Sequence, residues 1–350
     1  GLAENIRREY SRGVLYACVT LLFAANTFNI SADLGAMAKA VQLLAPVHFV
    51  VLVIFFALVS LALQIFTSYH VYARYLKYLT FVLFAYVATG LIVDLDWGQI
   101  FTHTLLPSLT FSKGQLILVC AILGTTISPY LFFWQSSQEV EEDIEKGEAT
   151  VEEREGATAE DIKDMRIDVA AGMFISNLVM FFIVAVCAVT LYSHGVTDIR
   201  TAADAAAALR PLAGEWAFTL FAIGIIGTGL LAIPVLAGSS AYAVAEAFHW
   251  QEGLYKKWWQ AYGFYGIIIL SLVIALLLNF VGIDPIKALI YSAVGNGLVA
   301  PVMLFFIVRL SSNSEIMGEW KNHPLLTAFG WLVVVLMALA GIATIISFFV

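Results

Sequence analysis

The stretch GTTISPYLFFWQSSQEVEE, Gly124 to Glu142, decides how this chain reads. It starts inside an apolar run, is interrupted at Ser128–Pro129, resumes as aromatics and ends in acids. A proline inside a helix removes one hydrogen bond and crowds the carbonyl one turn back. Where lipid surrounds the helix, the freed backbone groups need partners, because each unsatisfied group costs several kcal/mol. Thr125, Thr126 and Ser128 cluster beside Pro129. They either satisfy those groups or turn oxygens toward a cavity. With Gly124 next to them, they predict backbone that uncoils near mid-membrane, as it does at the substrate and ion sites of inverted-repeat carriers.

The rest of the chain fits that setting. Hydrophobic residues make up 61% of the sequence and charged residues 13%, and the mean hydropathy is +0.88. A soluble domain is about half apolar and a quarter charged. The apolar residues fall in long blocks rather than in the alternating pattern of a sheet, which predicts an all-α polytopic membrane protein. Nine spans are expected, near 13–36, 46–69, 75–95, 115–137, 169–192, 217–245, 261–282, 286–309 and 327–349. The whole chain, 1–350, reads as one transmembrane domain. Residues 1–12 form a cytoplasmic linker and 138–168 a charged cytoplasmic loop. No initiator methionine precedes Gly1, which reads as the remainder of a longer chain.

Lys and Arg in the connections set the orientation. With the N-terminal segment in the cytoplasm, the inner side holds Arg7, Arg8, Arg12, Arg74, Lys77, Lys256, Lys257, Arg309 and Lys321. The outer side holds Lys39, Lys113, Arg200, Arg210 and Lys287, fewer than the inner side even with the long loop left out. Cys18, Cys120 and Cys187 lie inside apolar runs with no metal-ligand or disulfide spacing. His48, His103 and His194 are scattered near the outer surface. No nucleotide motif, zinc motif or catalytic triad is present, so the sequence argues against an enzyme and against a nucleic-acid partner.

Other polar positions stand out against the apolar background. Asp33 is the strongest intramembrane carboxylate, and charge at membrane depth is usually functional. Asn26 and Asn29 share its helical face. Asn296 sits between two glycines and ahead of Pro301, and reads either as interior packing or as a contact to metal-bound water. Gly227, Gly229, Gly238, Ser239 and Ser240 are small enough to let helices approach closely. Glu246, at the end of its span, is expected to be solvated. Trp97, Trp134, Trp258 and Trp259 are expected in an interfacial belt.

Several segments together resemble the NRAMP-type divalent-metal transporters. GTTISPY sits where that family carries a Gly-Ala-Thr-Val-Met-Pro-His-like segment in its sixth helix. GLAENIRREYSR (1–12) looks like the linker after its second helix, and NISADLGAMAKAVQLL (29–44) like its third helix. SSNSEIMGEW (311–320) is similar to the linker before its last helix. The resemblance implies a LeuT-like inverted-repeat transporter fold, N-terminally incomplete. The family's first two helices, the first of which carries an aspartate ligand, are missing. It also implies that Thr125 supplies a backbone carbonyl to the metal and Ser128 a direct or water-mediated contact. The family's methionine aligns with Ser128, its histidines with Tyr130 and Gln135, a glutamate with Ala36 and a tenth-helix glutamine with Ala293. Its third-helix aspartate is kept as Asp33.

These replacements have chemical direction. A thioether favours softer ions, whereas serine offers a hard oxygen. A roomy oxygen site suits Mg²⁺, which prefers to keep several waters. Loss of the histidines and the glutamate removes groups that relay protons. The expectation is therefore the magnesium-transporting branch of that family, importing Mg²⁺ or Mn²⁺ by alternating access without proton coupling. The membrane is expected to be the bacterial inner membrane, the partners a divalent metal ion and the lipid bilayer, and no resident cofactor is expected. The alternatives are an inverted-repeat carrier of amino acids or other solutes, and a membrane-embedded sensor or scaffold subunit.

Overall fold

The computed structural model describes residues 1–67, 78, 81–107, 110–148, 150, 156–199 and 201–349. The described residues are almost entirely helical. In chain order the principal helices are α1 (Leu2–Glu9), α2 (Arg12–Gln42), α3 (Phe49–Phe66), α4 (Phe84–Ile92), α5 (Trp97–Leu105), α6 (Lys113–Thr126) and α7 (Pro129–Lys146). They continue with α8 (Ala159–Thr190), α9 (Ala217–Phe248), α10 (Tyr262–Leu278), α11 (Pro285–Ser311) and α12 (Pro324–Ser347). Among the described residues, seven spans are long and apolar enough to cross a membrane, and a bent pair makes an eighth. The chain is an integral membrane protein.

Local chemistry sets many of the ends. The Asp284 carboxylate accepts from the Ile286 and Lys287 N–H groups, and Pro285 takes the first helical position of α11, where its missing N–H costs nothing. Thr158 and Asp161 form a reciprocal capping box at the start of α8. Gly147 closes α7 with φ 104°, a left-handed value that glycine adopts without strain.

Helix α2 is central and packs against α3, α9, α10 and α11. One core joins Ile30, Leu34 and Met37 of α2 to Val53 of α3, Ile233 and Leu236 of α9, and Phe264 and Ile268 of α10. A second joins Leu15 and Leu22 of α2 to Phe133 of α7, Ala243 of α9, and Val299 and Met303 of α11. Helix α11 also lies along α6 and α12.

Eight of the nine expected spans fall on described helices, though several of those run further than expected: α8 starts ten residues before 169, and 115–137 is covered by the pair α6 and α7; 261–282 corresponds to α10, which at 17 residues falls short of a full span. The span expected at 75–95 differs. Its first part, with Arg74 and Lys77, lies outside the described residues. The rest is a pair, Phe81–Ile92 and Trp97–Leu105, bent by 115°, because Asp94 and Asp96 interrupt the apolar run. In the charged segment 138–168, α7 runs on to Lys146 and α8 already begins at Ala159. Two side chains also lie elsewhere than expected. Trp134 is not interfacial: it is buried against Gly238 and Tyr242. Glu246 is not solvated: it is 6% exposed, accepts from the Glu4 N–H at 2.9 Å and receives the Ser137 hydroxyl at 3.4 Å.

Candidate functional site

Helices α6 and α7 form one span, Lys113–Ile144, of 32 residues, and the helix is interrupted inside it. Ile127 leaves helical geometry at φ −119°, ψ 73°. Ser128 is extended at φ −83°, ψ 125°, and Pro129 starts α7. Proline disfavours helical backbone in the residue before it, so the Ser-Pro pair places the break. The break is buried, with Ser128 3% exposed.

The hydroxyls beside the break are partnered locally. Thr125 Oγ1 donates to the Ile122 carbonyl at 2.9 Å, and Thr126 Oγ1 donates to Ile122 at 2.9 Å and Leu123 at 3.1 Å. The Ser128 hydroxyl donates to the Gly124 carbonyl at 3.0 Å and the Thr125 carbonyl at 3.2 Å. The Ser128 bonds cover the Gly124 and Thr125 carbonyls, which lose their helical partners at the interruption, whereas the Leu123 carbonyl keeps the Ile127 N–H at 2.9 Å. They also fix the polarity of Ser128. With its proton directed at the carbonyls, Oγ presents only lone pairs elsewhere. The Thr125 residue is exposed, and its carbonyl accepts from the Ser128 hydroxyl.

Glycine places α11 directly against this point. A Cβ on Gly124 would collide with the Ala293 carbonyl and the Gly297 backbone, and one on Gly297 would collide with the Cys120 carbonyl. Ala293 is buried in the same contact. Tyr130, on the first turn of α7, is half-buried and packs against both central cores. It is within side-chain hydrogen-bonding reach of Ser128 and within electrostatic reach of Asp33 on α2. Gly124, Thr125, Ser128, Pro129 and Tyr130 therefore lie together at the break, with Ala293 on the opposing helix, and Asp33 stands on α2. Gln135 stands apart. Its Nε2 donates to Glu139 Oε1 at 2.6 Å, and it lines an acid-walled cavity of about 810 Å³ between the α7 and α8 ends.

Asn296 is 3% exposed, and its Oδ1 has no hydrogen-bond partner among the described residues. Asn26 is fully buried, and its Nδ2 donates to the Leu236 carbonyl, Ser239 Oγ and Ser240 Oγ at 2.8–3.1 Å. Among the described residues, no group of three or more His, Cys, Asp or Glu side chains could hold a metal ion. The oxygens at the break itself are hydroxyl, phenol and carbonyl.

Sequence reasoning missed a second polar cluster, at the end of the bundle near Glu246. The Tyr242 hydroxyl and the Leu254 N–H both donate to Glu141, the latter at 2.6 Å. Burial, followed by the charge of Glu246, pushes the Glu252 carboxyl up to about 8. Only the spacing Ser137–Glu141 on one face of α7 hinted at this cluster in the sequence.

A family model described as natural resistance-associated macrophage protein-like (Nramp) matches residues 1–347. The divalent metal cation transporter MntH of Caldanaerobacter subterraneus is 26% identical over 258 residues, covering 71% of this chain and 55% of that protein. MntH of Klebsiella pneumoniae strain MGH 78578 is 27% identical over 261 residues, covering 73% and 58%. The chain thus spans little more than half the length of these curated relatives. A mutant form of the Eremococcus coleocola manganese transporter superposes with a TM-score of 0.76 at 17% identity, over 97% of this chain and 73% of that one. The same transporter with a bound aromatic bis-isothiourea compound gives 0.71 at 19% identity. Those superpositions establish the fold.

Proposed function

We propose, from the premise that this chain belongs to the Nramp family, that it is the greater part of a carrier moving a divalent metal cation across a membrane by alternating access. The observation that carries this reading is the buried break at Ile127–Ser128 within a single span, where hard oxygens meet an apolar bundle. The Thr125 carbonyl and Ser128 Oγ would meet the ion or its water. Asp33 would supply charge, and Tyr130 would couple the two. The curated relatives are bacterial MntH proteins, which supports a bacterial plasma membrane, and the Lys and Arg bias of the connections supports an N-terminal segment in the cytoplasm.

Mg²⁺ is the cargo this reading favours. Serine stands where a thioether would select softer ions, and Mg²⁺ keeps its waters. Mn²⁺ is the second reading, favoured by the solved relative being a manganese transporter and by that ion's acceptance of oxygen ligands. Proton symport is not required. Moving one charge through 100 mV is worth about 2.3 kcal/mol, so a divalent ion gains about 4.6 kcal/mol, or roughly 2,000-fold accumulation. Tyr130, Gln135 and Ala36 also stand at positions where the family carries proton-handling side chains.

The test is uptake by the complete gene product in liposomes that hold a pH dye. An inside-negative potential is expected to drive Mg²⁺ in without acidification. Cd²⁺ uptake accompanied by acidification would overturn both the choice of cargo and the uncoupled mechanism.

A further inference from the structure

We infer that Asn296 sets specificity, with its Oδ1 accepting hydrogen bonds from the water shell of the transported cation and thereby favouring ions that hold their water tightly. This rests on the carrier reading above and deepens it.

Position comes first. Residues three, four and seven apart share a face of a helix. Ser292, Val299 and Met303 therefore lie on the Asn296 face of α11, and Val299 and Met303 pack with Leu22 of α2 and Phe133 of α7. Phe133 lies one turn beyond Pro129 and Tyr130 on α7. Asn296, one turn from Val299 in the direction of Ala293, is thus carried to the level of the break. Its neighbour Gly297 fixes that level by touching α6 at Cys120 and Gly124.

Chemistry comes second. A buried amide oxygen without a partner costs about 1–3 kcal/mol. Two more oxygens on α2 share this state: Asn26 Oδ1 and Thr27 Oγ1, both in buried side chains. The Nδ2 of Asn26 is fully committed to α9, so its oxygen is left facing elsewhere. Gly35 of α2 meets Pro285 of α11, and Leu22 shares a core with Val299 and Met303. At 1.5 Å per residue on antiparallel helices, Asn26 and Thr27 fall close to the level of Asn296. Such acceptor oxygens suit a ligand that arrives carrying O–H donors. A hydrated divalent cation is such a ligand, and its charge strengthens each donated bond. An ion that gives up its waters more readily gains less from them.

The experiment compares Asn296→Leu and Asn296→Asp with the wild type in the complete protein, measuring half-saturating Mg²⁺ and Mn²⁺ in liposome uptake. Leucine removes the oxygen at similar volume, and aspartate keeps an acceptor. The leucine variant is expected to need about tenfold more Mg²⁺ with a smaller change for Mn²⁺, so the Mg²⁺/Mn²⁺ ratio shifts. The aspartate variant is expected to hold the wild-type ratio. Thermal melting reports folding, and a leucine variant that melts at or above the wild-type temperature is expected, since it loses an unpaired polar atom. An unchanged ion ratio in a folded leucine variant would overturn the role of Asn296 and leave the carrier standing. A leucine variant that fails to fold, or an aspartate variant that shifts the ratio as leucine does, would assign Asn296 to packing and overturn it as well. No divalent uptake by the wild type would overturn the carrier, and this inference with it.

Discussion

Two interruptions of apolar helices among the described residues behave differently. Between α4 and α5 the helix axis turns through 115°. Asp94 and Asp96 are exposed there, and the Asp96 carboxylate caps the next helix by accepting the Gln99 N–H at 3.0 Å. Between α6 and α7 the span stays single, the break is buried, and Ser128 covers two carbonyls with one hydroxyl. Acids end a helix where water can solvate them. Hydroxyls and proline open one inside the bundle, where the hydroxyl of Ser128 serves the freed carbonyls.

This contrast is broken most severely at Gly124. Gly124→Val would drive a branched side chain into the Ala293 carbonyl and Gly297, backbone that cannot yield. A loss of about 3 kcal/mol or more is expected, read as a collapse of the thermal midpoint or loss of monodisperse protein. A variant as stable as the wild type would mean that α6 and α11 are not in contact there.

Ser128→Ala acts on the buried break alone. It removes the bonds to the Gly124 and Thr125 carbonyls and is expected to cost about 1–2 kcal/mol of stability. Half-saturating Mg²⁺ should rise by about tenfold. Lower stability with unaltered uptake would make Ser128 a cap and nothing more. The smallest effect belongs to the exposed break. Asp96→Ala is expected to cost about 0.5–1 kcal/mol through the lost cap, with ion preference untouched. An altered preference would mean that the bend at α4–α5 also serves the ion path.

The reach of the sequence follows the same division. The break at Ser128–Pro129 was legible because proline, the residue before it and the hydroxyls all act within one turn. The spans were legible because lipid demands long apolar runs. The 115° bend was not foreseen, since two acids at a span's end look like an ordinary loop. The burial of Glu246 and Trp134 was hidden for another reason. Each depends on partners far along the chain, such as the Glu4 N–H for Glu246 and Gly238 for Trp134. The sequence left two roles open for the hydroxyls, and the hydrogen bonds show them serving the backbone. Gln135, grouped in the sequence with the break residues, faces a different cavity two turns along α7.

In the proposed function, the interruption at Ile127–Ser128 frees the Thr125 carbonyl and Ser128 Oγ for a divalent cation. The most direct test is anomalous diffraction from crystals of the complete protein grown with Mn²⁺ as the detectable ion. The account predicts one strong peak beside the break, within about 2.5 Å of the Thr125 carbonyl or Ser128 Oγ, or one water molecule further away. A peak held elsewhere in the bundle, with the break empty, would contradict it.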